Sequence, residues 1–270
     1  MYLTVNGHKT YCYTGGKAFN PDQPTVVFIH GVLNDHSVWI LQTRYLAHHH
    51  WNVLALDLPG HCKSAGPPPL SVEEAAQFVI ALLDAAGVKK AALVGHSFGA
   101  LVALQAAASA PDRVSQLVQV GTAFPMKVSA ALLESSLKDP QQAIDMVNVY
   151  SHSTLAPPPS TLGPGTWLYG GSRALMRRVL ASNAEANLFH RGFTACDSYL
   201  AGDAAMASVQ CPALFVLGRR DQMTQPRAAQ SLMNAAVHAK VVTLDAGHQL
   251  MTECPDGVLG ALLDFLKPAA

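Results

Sequence analysis

Charge is what this sequence has least of. Only 13% of its 270 residues are Asp, Glu, Lys or Arg, and 18 basic side chains are matched by 18 acidic ones. A net charge of zero provides no basic field to gather phosphate backbones or anionic lipid. Nucleic acid and membrane surfaces are thereby excluded as primary partners. Cysteine is scarce too: the five residues at 12, 62, 196, 211 and 254 form no CxxC pair. An odd, scattered set fits free thiols in a reducing compartment, and neither a disulfide framework nor a zinc site. Uninterrupted apolar runs stop well short of the roughly 20 residues that span a bilayer. The stretch 1–7 lacks a basic segment leading into an apolar one. The expectation is a cytoplasmic protein without membrane insertion.

Hydrophobic residues, by contrast, make up half the chain. A chain of this length and composition buries one large core, with room for an inserted piece. The apolar residues gather in short runs at 25–30, 52–57, 91–95, 114–121, 213–218 and 240–244. These runs are too short for helices and too continuously apolar for strands with one wet face, so they read as buried parallel strands. Helical patterns lie between them at 36–47, 71–86, 98–109, 226–236 and 255–266, with Ser71 and Glu74 spaced as a capping box. A hairpin over 2–5 and 9–13, turned at Asn6-Gly7, precedes them. The expected fold class is α/β: a mostly parallel central sheet with helices on both faces.

The alternation fails from about 122 to 208, where helical patterns at 129–136, 140–150, 172–183 and 184–199 surround a Pro/Gly/Ser-rich segment at 157–171. The expected division is a core of 1–121 and 209–270 with a helical cap, 122–208, inserted between two core strands. No internal repeat is evident, and oligomeric state leaves no mark in the sequence.

The polar motifs fall where predicted strands end, and in open parallel sheets those carboxyl ends form the ligand-binding edge. Gly95-His96-Ser97-Phe98-Gly99 matches G-x-S-x-G between a strand and a helix, the setting of a nucleophile elbow. A serine hydroxyl needs a base, and His248 follows the last predicted strand. Asp221 follows the penultimate one and can orient that histidine, giving the chain order Ser97, Asp221, His248. Asp245 is an alternative acid, poorly placed three residues before His248. The amides of Phe98 and Val32, the latter in the loop after the first core strand, are the expected oxyanion donors, with Leu33 behind Val32. His96, adjacent to Ser97, reads as a packing residue. His48-His49-His50 reads as a solvated helix end, since consecutive side chains point apart.

Four landmarks in order, His30-Gly31, Asp57 through Ser64, Gly95 through Gly99, and Gly218-Asp221 with Gly247-His248, resemble the α/β-hydrolases over nearly the whole chain. The branch most similar contains esterases, C–C hydrolases and epoxide hydrolases with a helical cap. The resemblance implies Ser97 as nucleophile, Asp221 as acid, His248 as base, and Val32 and Phe98 as oxyanion donors. Asp57 would organise its loop, and Cys62 stands where the family usually has glycine. Serine rather than aspartate at 97 implies acyl chemistry without a cofactor or metal, on a small-molecule ester or related acyl substrate. The same triad serves C–C bond hydrolysis or peracid formation in other members, and a binding protein of this fold is a third reading. Trp167, Tyr169, Met176, Phe189, Phe193 and Tyr199 either line the cap's pocket or form its core.

Overall fold

The computed structural model describes residues 1–20, 22–153 and 166–267. Strands β1 (Tyr2–Val5) and β2 (His8–Tyr13) form the expected hairpin, with Asn6 and Gly7 at φ 49° and 80° in its turn. The core strands are β3 (Thr25–Ile29), β4 (Asn52–Leu56), β5 (Ala91–His96), β6 (Val114–Val120), β7 (Ala213–Gly218) and β8 (Ala239–Leu244). All eight form one sheet in the order β1-β2-β4-β3-β5-β6-β7-β8. From β4 to β8 neighbours run parallel, while β1 and β2 are antiparallel additions.

Side chains that alternate across a strand feed two cores. On β3, Val27 and Ile29 pack with Leu101 and Phe215 on one side, while Val26 and Phe28 pack with Trp39 and Leu262 on the other. Helices α2 (Val72–Ala85) and α3 (Phe98–Ser109) cover the first face, and α1 (Ile40–His48) and the C-terminal helix Pro255–Phe265 the second. Because both faces are covered, β3, β4 and β5 are buried along their whole length, which is why they read as continuous apolar runs.

Strand β8 departs from the buried strand expected at 240–244. It is the sheet's edge, pairs only with β7, and leaves Val241 49% exposed. Two expected helices are each split by a tight 3₁₀ turn. His36–Trp39, capped by the Asp35 carboxylate on Ser37 N–H, precedes α1, and Pro226–Ala229 precedes α9 (Gln230–Ala235).

Between β6 and β7 lie α4 (Ala130–Lys138), α5 (Pro140–Ser151), α6 (Leu168–Ala181), α7 (Leu188–Ser198) and α8 (Gly202–Ser208). The Pro157-Pro158-Pro159 segment lies outside the described residues. Helices α5 to α7 share a third apolar cluster (Ile144, Val147, Met176, Phe189 and Phe193) that includes Leu33 from the loop after β3. The short α8, not foreseen from sequence, belongs elsewhere: Ala205 and Met206 pack into the sheet-side core with α3. Helix α7 starts at Leu188, not 184, because Asn187 caps it by accepting from His190 N–H. Among the described residues no helix is long and apolar enough to cross a membrane.

Candidate active site

Strand β5 ends in a turn that the two glycines make possible. A Cβ on Gly95 would lie 2.0 Å from the Gly99 carbonyl oxygen, and one on Gly99 would lie 2.3 Å from the Ile29 oxygen. Neither position can hold a side chain. Ser97 between them adopts φ 54°, ψ −118°, outside the regions an L-residue ordinarily occupies. Ser97 N–H is tied to Val120 O (3.0 Å), and the serine is the half-exposed member of an otherwise buried stretch.

His248 lies on the wall of the same cavities as Ser97. Its Nδ1–H donates to Asp221 Oδ2 at 2.8 Å, and both side chains are almost fully buried. Asp221 accepts further bonds from Met223 N–H, Thr224 N–H (both 2.8 Å) and Thr224 Oγ1 (2.7 Å). Burial alone would raise its pKa. The His248 ring and these donors outweigh burial and hold the carboxyl below its ordinary value. Nδ1 being the protonated nitrogen that faces Asp221, Nε2 is left free to accept a proton. Among the described residues the Ser97 hydroxyl has no hydrogen-bond partner, leaving it open to the cavity.

Asp245 is not brought to this site. It is exposed and pairs with Arg219 (3.0 Å) and Arg220 (2.9 Å), the two arginines that immediately precede Asp221. The histidine run at 48–50 is exposed at the end of α1, with His49 stacked on Tyr45.

The loop after β3 is held against Ser97. A Cβ on Gly31 would come within 3.1 Å of the Ser97 Cβ. His30 shapes this loop: its Nδ1–H donates to Gly31 O (2.9 Å) while Nε2 accepts from Leu58 N–H (3.1 Å). Val32, with Ser97, lines the smaller of two cavities. Val32 N–H and Phe98 N–H have no acceptor among the described residues, and Phe98 is the first residue of α3. They are therefore available to a ligand.

Several residues around His248 went unmarked in the sequence reading or were given a smaller part. His96 is more than packing: its Nε2–H donates to the His248 carbonyl at 2.9 Å, and burial, reinforced by the His248 charge, pushes its pKa down to about 3. The carbonyl of Ser151, at the end of α5, accepts from His248 N–H (2.8 Å) and Gln249 N–H (3.1 Å). Glu253 bridges the same two segments, accepting from Gly247 N–H at 3.1 Å and from Ser153 N–H and Oγ. Only Thr224 had a local signal, an Asp-x-x-Thr spacing that suits an Asx-type turn.

Asp57 accepts from His36 N–H and Nδ1–H and from Lys63 N–H, which fits its reading as the organiser of its loop. Asp35, His36 and Asp57 place donor atoms within 4.8 Å of one another, close enough to ligate an ion. Those atoms are already engaged, His36 with Asp57 and Asp35 with Arg178 (2.6 Å). Cys62 lies beside them at φ 46°, a conformation that favours glycine. Burial, with Asp35 and Asp57 nearby, pushes its thiol up to about 12, which keeps it protonated and unreactive near neutrality.

Two cavities meet at Ser97 and His248, divided by Val147, Phe193 and Met223. The larger, about 250 Å³, is walled by Met126, Val128, Leu132, Met146 and Tyr150. The smaller, about 30 Å³, lies under the loop after β3. Of the six cap residues named from sequence, Phe193 lines both cavities, and Met176 and Phe189 line the smaller. Tyr199 instead joins the sheet-side core and donates to Gln105 Oε1, and Trp167 is 60% exposed.

Residues 24–149 match the family model described as the alpha/beta hydrolase fold. The dihydrolipoyllysine-residue acetyltransferase component of the acetoin cleaving system of Pseudomonas putida is 29% identical over 265 residues. That match takes in 94% of this chain but only 65% of the relative, so the chain spans about two thirds of that protein's length. Esterase YbfF of Escherichia coli (strain K12) is 23% identical over 255 residues, 90% of this chain and 92% of the relative. Among solved structures, the enol-lactonase from Burkholderia xenovorans LB400 superposes with a TM-score of 0.82 at 23% identity, covering 98% of this chain and 99% of that one. With that superposition over nearly its whole length and the family model matched over residues 24–149, the chain has the α/β-hydrolase fold.

Proposed function

We propose that the protein is a serine hydrolase that cleaves a carboxylic ester or related acyl bond of a small molecule through an acyl-enzyme intermediate. One observation carries the reading: a serine held at a strained elbow faces the same cavity as a histidine whose far nitrogen is bonded to a buried carboxylate. In this reading His248 Nε2 takes the Ser97 proton as Oγ attacks the carbonyl carbon. Asp221 fixes the imidazole tautomer and stabilises the imidazolium. The Val32 and Phe98 amides receive the oxyanion, a contribution of the kind whose removal costs about 10²–10³ in turnover. His248 then protonates the departing alcohol, activates water, and the acid leaves with Ser97 restored. The helices of 122–208 act as a cap that shapes the cavities over the serine.

Ser97→Ala tests this with p-nitrophenyl butyrate. Turnover is expected to fall by at least about 10³-fold with an unchanged circular dichroism spectrum. Wild-type rates in the variant would remove Ser97 from the chemistry. A wild-type protein whose Ser97 ignores a fluorophosphonate probe would instead favour a binding protein of this fold.

A further inference from the structure

The steps above leave unused the polar side chains of the smaller cavity. Asn34 and Gln249 line it at 3% and 6% exposure, and among the described residues neither side-chain amide has a hydrogen-bond partner. Ser151 lines it as well, fully buried, with an unpartnered Oγ. Buried polar groups are normally satisfied, and leaving one unmatched is costly. Of the three, Ser151 Oγ is the one buried without a partner among the described residues; the Asn34 and Gln249 amides border the same small space beside Ser97 and add donors and acceptors that a ligand can use.

The space itself narrows what that ligand is. At about 30 Å³ it admits one or two water-sized groups. Its described lining contains no Lys, Arg, Asp or Glu. Of its two histidines, His96 is held neutral by burial and His248 is already paired with Asp221, so no fixed charge there favours a charged substituent. Val32 and Asn34 line the same cavity, which sets this space beside the amide that the serine-hydrolase reading assigns to the oxyanion. The larger cavity, where Met126, Val128, Leu132, Met146 and Met223 stand beside Lys127, Tyr150 and Gln222, has the room for the bulkier alcohol.

Building on the serine-hydrolase reading, we propose that the smaller cavity is the acyl pocket. It selects a short acyl group carrying a neutral hydrogen-bonding substituent, a hydroxyl or oxo group on the carbon beside the scissile carbonyl. Asn34 and Ser151 bind that substituent, with Gln249 alongside. They are specificity residues, and the bond-making steps remain those of Ser97 and His248.

Benzyl glycolate and benzyl propionate differ only by a hydroxyl in place of a methyl at this position. Their kcat/KM ratio, normalised to the ratio of their hydroxide-catalysed rates, isolates the recognition of that hydroxyl. The wild type is expected to favour glycolate by tenfold or more, because a site built to bond a hydroxyl rejects the analogue lacking it. Asn34→Leu and Ser151→Ala should each bring the ratio toward one. Ser97 labelling by fluorophosphonate, followed in each variant, separates loss of fold from loss of preference. If Asn34→Leu does not fold, Ser151→Ala decides, since it deletes one oxygen and keeps the carbonyl that holds His248.

A wild-type ratio near one, or a ratio that survives both substitutions, overturns the assignment. So does an equal fall on both esters, which would put these groups on the scissile carbonyl or the attacking water. Each of those results leaves the serine-hydrolase reading standing. Absence of any ester turnover together with an unlabelled Ser97 overturns both.

Discussion

His96 should make the protein acid-labile over a definable pH range. Its imidazole is buried and its pKa lies near 3, against an ordinary 6.5 in the unfolded chain. A folded pKa below the unfolded one means that the unfolded state takes up the proton first. Stability from this group is therefore complete above about pH 6.5 and is lost as the pH falls toward 3. Integrating between the two states gives about 2 kcal/mol lost at pH 5. His61, pushed down to about 4 chiefly by burial and next by the His30 charge, loses a similar ~2 kcal/mol at that pH. Depressed carboxylates such as Asp35 and Asp221 are ionised at pH 5 in both states and do not contribute there. Urea unfolding followed by tryptophan fluorescence at pH 7.5 and 5.0 measures the loss, in wild type and in His96→Gln. The wild type should lose about 4 kcal/mol or more between the two conditions, and the variant about 2 kcal/mol less. Taking the difference between pH values cancels any pH-independent cost of the substitution. An identical loss in both proteins would refute the claim that His96 is buried neutral behind His248.

Two further outcomes follow from the site's geometry. Asp221→Asn should keep the fold but lower kcat by about 10⁴, because an amide at 2.8 Å from Nδ1 no longer fixes the tautomer that frees Nε2; ester hydrolysis within tenfold of wild type would count against the triad. Gly99→Ala should abolish soluble, cooperatively unfolding protein, since the added carbon would lie 2.3 Å from the Ile29 oxygen of a central strand; a normal melting curve would show that the turn can relax.

Much of the sheet was legible in the sequence because burial on both faces leaves no room for polar residues in β3, β4 and β5. The same reasoning misjudged β8, whose Lys240, Val241 and Val242 resemble an interior run although the strand lies at the edge. Ser97, Asp221 and His248 stood out because each follows a strand at one end of the sheet, and the G-x-S-x-G glycines are required by contacts under 2.5 Å. What stayed hidden depends on distant partners. Nothing near Ser151 signals that its carbonyl will meet His248, 97 positions later, nor does His96 advertise a bond across 152. The cap was harder still. Helical spacing marks Met176, Phe189 and Tyr199 as apolar-face residues alike, but two border the small cavity and the third packs against α3.

The paired bonds from His248 and Gln249 to the last carbonyl of α5 have a consequence for turnover. The segment after β8 that carries His248 is tethered to a helix whose Met146, Val147 and Tyr150 line the larger cavity. The position of α5 is thus coupled, through the His248 main chain, to the 2.8 Å bond between His248 and Asp221. Under the serine-hydrolase reading, a substrate bulky enough to displace α5 would disturb the very base it needs.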